Sequence, residues 1–266
     1  MPRQTEQRRA QIVAWLEGHD LAEVEELSRQ FGVSLVTIRK DLTALEQRGL
    51  WRRTHGGALY SQKTLYNPTI REKLRLNRSL KQAIAQRALS LITEGDSLFL
   101  DSGSTTLELA KAMKHQFRSL YILTNSIPVA SELADSRWDV LVLGGNLRPR
   151  SLALIGPATE RALEVYRADK AFLAATGVTL EHGYSTPNPL EAPTKRAMLK
   201  AAKQAYAVVD SSKLGHAALA SFAALEEVEA LITDDQAPAR FLESLEQRGL
   251  GFLLAGAPEV QPVGPI

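Results

Sequence analysis

The 266-residue chain contains no cysteine, which excludes disulfides and thiolate metal sites and gives no sign of an oxidising compartment. It also lacks any apolar run approaching the roughly 18 residues of a membrane helix. Its first residues carry no apolar signal-peptide segment. These absences lead to the expectation of a cytoplasmic protein with no membrane partner. His19, His55, His115, His182 and His216 are scattered without ligand spacing, so no metal site and no metal-assisted hydrolysis is expected. No segment repeats at a fixed period and none is of low complexity. The formal net charge of +2 is too small to imply a nucleic-acid partner by itself.

What is present is ordinary for a folded chain: 44% hydrophobic and 23% charged residues. Charge becomes informative only locally. Between Leu35 and Tyr60 the cations Arg39, Lys40, Arg48, Arg52 and Arg53 outnumber Asp41 and Glu46. From Ser61 to Lys81, Lys63, Arg71, Lys73, Arg75, Arg78 and Lys81 face only Glu72. Such focusing is what phosphate neutralisation requires, although a merely solvated surface would read the same way.

The first sixty residues read as three helices and a hairpin. Ile12, Val13 and Leu16 give helical spacing over residues 8–18, and Val24, Leu27 and Phe31 over residues 22–31. Gly32 makes a corner, and Ser34 is a good N-cap for a helix over residues 35–48. On that helix Leu35, Ile38, Leu42 and Leu45 form the expected buried stripe, with Val36, Lys40, Thr43 and Gln47 opposite. Residues 50–58, with Gly56-Gly57 at the bend, predict a hairpin.

Two helices about a tight corner match a helix-turn-helix. The second needs an apolar face for its own domain and donors at its N-terminal turn for base edges and phosphates. Ser34, Val36, Thr37, Arg39 and Lys40 are the candidates there, with Arg52, Arg53 and His55 on the hairpin as a wing. The plainer alternative is a small helical bundle with an amphipathic third helix. Asp41, at the edge of the stripe, is expected to pair with a cation of its own domain.

Residues 61–79 are polar, basic and broken by Pro68, and are expected to connect the reading domain, 1–60, to a larger domain over 80–256. That larger part alternates helices with short apolar strands, predicted at 97–100, 120–123, 139–143, 170–175, 205–209, 230–233 and 251–254. The pattern indicates an α/β domain built on a mostly parallel sheet. Residues 257–266 read as a tail.

In such sheets ligands bind at the carboxyl ends of the strands. The strand ending at Leu100 runs into Asp101-Ser102-Gly103-Ser104-Thr105-Thr106, small hydroxyl residues opening a helix and suited to an anion. Simple N-capping would use the same residue types. The glycine spacing matches neither a P-loop nor a dinucleotide fingerprint, and no cofactor is expected. Asn125, Gly145 and Gly177 fall at other strand ends. Glu191, Lys195 and Lys213 supply a carboxylate and two cations for a polar ligand, unless Glu191 and Lys195 form only a surface ion pair.

The run Val33-Ser-Leu-Val-Thr-Ile-Arg-Lys-Asp-Leu42, with Leu45-Glu46, Gly49 and Arg53-Thr-His-Gly-Gly-Ala58, resembles the N-terminal signature of DeoR-family repressors. The resemblance continues through Leu100–Thr106, Leu123–Ser126, Gly144-Gly145 with Arg148, Ile155-Gly156, Asp169, Gly177 and Val209–Lys213. It implies a winged helix-turn-helix with Thr37, Arg39 and Lys40 facing double-stranded operator DNA. The second domain would be similar in fold to ribose-5-phosphate isomerase and glucosamine-6-phosphate deaminase, and would sense a phosphorylated sugar or sugar alcohol. By the same resemblance the 102–106 loop would hold the phosphate, and Asn125, Gly145, Glu191, Lys195 and Lys213 would line the pocket. The loops are most similar to those of regulators of galactitol or amino-sugar use. Ala192-Pro193 departs from the pattern and leaves the direction of Glu191 open. A homo-oligomer, dimer or tetramer, is expected because one small reading head gives limited affinity. Two other classes remain: a phosphosugar isomerase or deaminase with an accessory domain, for which no carboxylate cluster with a lysine is evident, and a protein-interaction module.

Overall fold

A computed structural model describes residues 2–17, 21–46, 51–54, 57–60, 67–114 and 116–256. The chain divides into two compact units, Met1–Asn77 and Arg78–Ile266.

The first unit contains α1 (Pro2–Glu17), β1 (Leu21–Glu23), α2 (Val24–Phe31), α3 (Leu35–Glu46), β2 (Trp51–Thr54), β3 (Gly57–Tyr60) and α4 (Ile70–Arg75). Strands β2 and β3 form the expected hairpin, and β1 adds to β3 on its other side, giving an antiparallel order β1-β3-β2. β1 takes residues 21–23, so α2 starts two residues later than the spacing suggested. A three-residue strand exists only through its pairing with residues 57–59, which periodicity cannot reveal.

Ile12, Val24, Leu27, Ile38, Leu42 and Leu45 close the small core, with Trp15, Phe31 and Val33 against it. Leu35 does not join them. It is 38% exposed, whereas Ile38, Leu42 and Leu45 of the same helix are buried in that core. Of the expected connection, residues 61–66 lie outside the described residues. Residues 70–75 are helical, started by a capping box in which the Thr69 hydroxyl accepts from Glu72 N–H at 3.3 Å and Glu72 accepts from Thr69 N–H at 2.6 Å. The expected tail, 257–266, also lies outside the described residues.

The second unit begins with α5 (Arg78–Leu89) and β4 (Ser97–Leu100), followed by α6 (Ser104–Met113), β5 (Tyr121–Thr124), α7 (Ile127–Leu133) and β6 (Asp139–Val142). A short hairpin, β7 (Asn146–Arg148) and β8 (Ala153–Ile155), precedes α8 (Pro157–Val165) and β9 (Ala168–Leu173). Then come β10 (Gly177–Thr179), β11 (Gly183–Thr186), α9 (Ala192–Lys200), β12 (Ala202–Val208), β13 (Ala220–Ala223), β14 (Ala230–Asp234), α10 (Ala239–Gln247) and β15 (Phe252–Ala255).

Seven strands make one sheet in the order β15-β14-β12-β9-β4-β5-β6, every neighbouring pair parallel. Its central strands are apolar without alternation because both faces are covered. Phe99, Ala171, Leu173, Ala205 and Ala207 belong to one core, which is closed by Val178, Tyr184 and Phe222. Leu98, Leu100, Phe172, Tyr206 and Val208, alternating with them, are buried as well. Phe172 stacks on Tyr206 with ring centres 5.6 Å apart. The antiparallel sheet β10-β11-β13 and the β7-β8 hairpin were not foreseen.

The strand order positions the site. From β4 the chain moves outward through β5 and β6, then returns to β9 on the other side of β4 and continues to β12, β14 and β15. Between β4 and β9 the winding direction reverses. In open α/β sheets ligands bind at the strands' carboxyl ends beside such a reversal.

Candidate functional site

In the first unit α2 ends on Gly32, whose φ of 61° is the left-handed conformation of a helix C-cap. The Ser28 hydroxyl donates to the Val33 carbonyl at 2.5 Å and fixes the corner. Ser34 then caps α3, its Oγ accepting from Thr37 N–H at 3.2 Å. With Ile38, Leu42 and Leu45 turned inward, Ser34, Val36, Arg39 and Lys40 are exposed and Thr37 is half-buried. Among the described residues neither Arg39 nor Lys40 is paired with an acid. Arg52 and Arg53 lie on β2, opposite Leu59 and Ala58 of β3. His55 lies outside the described residues.

Asp41 is 2% exposed and accepts from Arg8 Nε at 2.6 Å and Arg9 Nε at 2.9 Å. The carboxylate within the reading helix is thereby directed inward, where it ties α3 to α1.

In the second unit buried polar side chains gather at the carboxyl edge of the parallel sheet: Asp101, Thr105, Asn125, Glu191, Lys195 and Asp210 are each under a tenth exposed. Asp101, leaving β4, is completely buried. Its Oδ2 accepts from Ala174 N–H at 3.0 Å and from the Lys195 ammonium. Lys195 also donates to the Ala174 carbonyl at 2.9 Å and lies 5.4 Å from the centre of the Phe222 ring. This lysine, one turn into α9, bridges the ends of β4 and β9 across the reversal point.

Gly103 is needed for close approach: a Cβ there would lie 2.5 Å from Ala174 Cβ. It precedes α6, whose first turn receives no side-chain cap. The N–H groups of that turn, beside the buried hydroxyls of Ser104 and Thr105, carry the positive end of the helix dipole. Two hydroxyls of the loop are committed internally. Thr106 Oγ1 donates to the carbonyl of Asp101 at 2.7 Å, and Ser102 Oγ donates to Asp101 Oδ1 at 3.4 Å.

Glu191 does not pair with Lys195, which corrects the surface-pair alternative. Its Oε1 accepts from Arg148 Nη1 at 2.9 Å and Ser151 Oγ at 2.6 Å, and its Oε2 from Thr186 Oγ1 at 2.9 Å. The β7-β8 hairpin supplies Arg148 and so fixes the carboxylate whose direction Ala192-Pro193 had left open. Asn125 is 1% exposed; its amide donates to the Leu154 carbonyl at 3.2 Å. Among the described residues Asn125 Oδ1 and Thr194 Oγ1 are buried without a protein partner.

Gly145 and Gly177 serve packing in this geometry. A Cβ on Gly145, at φ 146°, would lie 2.1 Å from Thr159 Oγ1, and one on Gly177 would lie 2.3 Å from the His216 carbonyl oxygen. Lys213 ends the 3-10 turn after β12, half-buried.

One residue of this region was missed. Lys81 of α5 is 3% exposed, and burial pushes its ammonium pKa down to about 8. Asp210 opposes that shift, Lys213 adds to it, and Glu108 opposes it more weakly. The signal was present: Lys81, Ile84, Ala85 and Ala88 form the buried stripe of α5, and a lysine at the head of an apolar stripe is unusual.

The comparisons with known proteins fit both units. A model described as the DeoR-like helix-turn-helix domain matches residues 8–64, and one described as the DeoR C terminal sensor domain matches residues 76–235. This chain belongs to the DeoR family of transcriptional regulators. It is 36% identical over 255 residues to a putative aga operon transcriptional repressor of Escherichia coli O157:H7, covering 95% of this chain and 94% of that protein. It is 38% identical to the HTH-type transcriptional regulator GlpR of Haloferax volcanii over 92% of this chain and 95% of that one. The fold also resembles ribose 5-phosphate isomerase A of Methanocaldococcus jannaschii, with TM-score 0.40 and 18% identity over 52% of this chain and 55% of that one. As a DeoR-family member the chain is a DNA-binding regulator, with α3 as the second helix of its helix-turn-helix. Among the described residues no helix is long and apolar enough to cross a membrane.

Proposed function

We propose that this DeoR-family protein represses a carbohydrate-catabolic operon and leaves its operator when a phosphorylated sugar or sugar alcohol binds the second unit. The observation that carries the reading is the cluster of buried polar side chains at the β4/β9 reversal, with the uncapped first turn of α6 beside it. Small anions are favoured there by the α6 dipole and its free N–H groups, and hydroxyl-bearing ligands by Asn125 Oδ1 and Thr194 Oγ1, buried without a protein partner. The relative named as a putative aga operon transcriptional repressor supports repression as the direction of control. Thr37, Arg39, Lys40 and the hairpin arginines contact the duplex, and the protein works as a homo-oligomer that presents two heads to two half-sites. Ligand binding draws the surrounding loops together and lowers the population of the arrangement that spans both half-sites.

A regulator without catalytic activity is the reading that the carboxylates support. Asp101 and Glu191 are both saturated with internal donors, so neither is poised as a mobile base.

The test is operator binding with and without a panel of sugar phosphates. Affinity should fall steeply with salt, and one member of the panel should release the DNA. Arg39→Ala should abolish operator binding and keep ligand binding, while Thr105→Ala should do the reverse. Sugar phosphates that tighten operator binding, or both variants damaging both activities equally, would overturn the proposal.

A further inference from the structure

Asn125 Oδ1 and Thr194 Oγ1 have no protein partner among the described residues, and their residues are 1% and 0% exposed. A buried polar atom left in that state destabilises the fold until a partner reaches it. The β7-β8 hairpin ties both residues to one neighbourhood. On its β8 side, Leu154 N–H donates to the Asn125 carbonyl at 2.7 Å, and the Asn125 amide donates to the Leu154 carbonyl at 3.2 Å. On its β7 side, Arg148 donates to Glu191 at 2.9 Å, at the head of the helix that carries Thr194. Nδ2 and Oδ1 leave the amide in different directions. Committing Nδ2 to β8 therefore turns Oδ1 away from the hairpin.

Thr194 is the third residue of α9, between Glu191, held by the hairpin, and Lys195, held by Asp101 and the Ala174 carbonyl. Like α6, α9 begins without a side-chain cap. The two helix heads differ in charge. Glycine stands at the N-cap of α6, whereas the Glu191 carboxylate stands at that of α9. A carboxylate at the positive end of a helix dipole opposes a second anion there, so the α9 turn suits a neutral group. Asn125 Oδ1 only accepts, so its partner must bring an O–H or N–H, and the oxygens of a dianionic phosphate are repelled. The Thr194 hydroxyl both donates and accepts. We propose that Asn125 and Thr194 form a hydroxyl-reading subsite, complementary to the anion end at α6, which makes the site prefer a phosphate ester bearing alcohol groups. This rests on the reading that the second unit binds a phosphorylated sugar or sugar alcohol.

Thr194→Val separates this role from a structural one, because valine keeps the shape and removes only the hydroxyl. An unpaired buried hydroxyl is a burden on the free protein, so its removal should leave the melting temperature equal or higher. A hydroxyl already served inside the fold would give the opposite sign. With ligand bound the effect inverts, since valine leaves an alcohol group of the ligand without its partner. Such a loss is worth about tenfold in affinity or more.

The experiment is titration calorimetry and thermal melting of the full chain with two matched pairs: ribitol 5-phosphate against n-pentyl phosphate, and glucitol 6-phosphate against n-hexyl phosphate. Within each pair the phosphate and chain length are kept and every other hydroxyl is lost. Wild type should prefer at least one polyol ester over its alkyl partner by about tenfold or more. Thr194→Val should erase most of that preference, bind the alkyl phosphates as wild type does, and melt no lower when free of ligand. Thr194→Ser, which keeps a hydroxyl, should retain the preference. Asn125→Leu should also lose the preference, and its unchanged affinity for alkyl phosphates would show that the unit is folded. A wild type binding both members of each pair equally, or a Thr194→Val variant that keeps the preference or melts lower, would overturn the subsite and leave the phosphate reading intact. A wild type that binds none of the four esters at millimolar concentration would overturn that reading and this inference together.

Discussion

Replacing Lys195 by methionine separates a structural clamp from a surface ion pair. The Lys195 side chain is 6% exposed and its partner Asp101 is 0% exposed. Methionine keeps the length of the stem and its contact with Phe222 but leaves the Asp101 carboxylate inside the sheet edge with the Ala174 N–H as its remaining backbone donor. Removing one member of a buried pair costs about 3–5 kcal/mol, because the survivor stays buried and uncompensated. An exposed pair would cost about 1 kcal/mol or less. For a domain of this size each kcal/mol moves the melting temperature by roughly 2–4 °C, so Lys195→Met should lower Tm of the Arg78–Ile266 unit by roughly 6–20 °C. Differential scanning calorimetry of the full chain reads this directly. The double variant Asp101→Asn/Lys195→Met should recover part of the loss, since no charge is then left unpaired. A single variant melting within 2 °C of wild type would refute the argument that this pair is a buried clamp.

Two further outcomes follow from the same region. Because native Lys81 gives up its proton near pH 8 and the unfolded chain holds it to about 10.5, the unfolded state binds more protons between those values. Stability should therefore rise with pH from 8 to 10.5, the burial penalty being fully present below 8; the gain is at most about 3 kcal/mol. Urea midpoints of wild type should climb over that range relative to Lys81→Met, and parallel profiles would count against it. Gly145→Ala would place a Cβ 2.1 Å from Thr159 Oγ1 and 2.8 Å from the Ile155 carbonyl oxygen, at a φ of 146°. It should cost about 3 kcal/mol through crowding and strain. An alanine variant with wild-type Tm but no sugar-phosphate binding would make this glycine a ligand-approach position instead.

Much of this architecture was legible from local pattern. The Ser34 cap, the Gly32 corner, the inward Ile38/Leu42/Leu45 stripe and the Asp101–Thr106 loop each depend on residues close in sequence. The parallel strands were legible as short apolar runs because both sheet faces are covered. What escaped depends on partners far along the chain. β1 exists through residues 57–59, the β10-β11-β13 sheet through residues 220–223, and the Lys195–Asp101 pair spans 94 positions. Spacing alone pointed Lys195 toward Glu191, four residues away, whereas the fold gives Glu191 to Arg148 on a hairpin that sequence reasoning did not foresee. Thr106 was grouped with ligand donors by residue type, yet its hydroxyl closes the loop from within.

The clamp on Asp41 changes how the cationic character of the N-terminal region should be counted. Arg8 and Arg9 contribute to the nominal positive charge of that stretch, but both Nε atoms are directed at a carboxylate that is only 2% exposed. Arg9 also meets Glu6 at 3.1 Å, so two carboxylates oppose the two guanidinium groups, which then displace few counterions from a polyanion. Each one withdrawn lowers the magnitude of the log–log salt exponent by about 0.9 relative to a tally of arginines and lysines. Titrating duplex affinity against potassium chloride therefore measures the outward cations of each head, while the inward pair ties α1 to the reading helix.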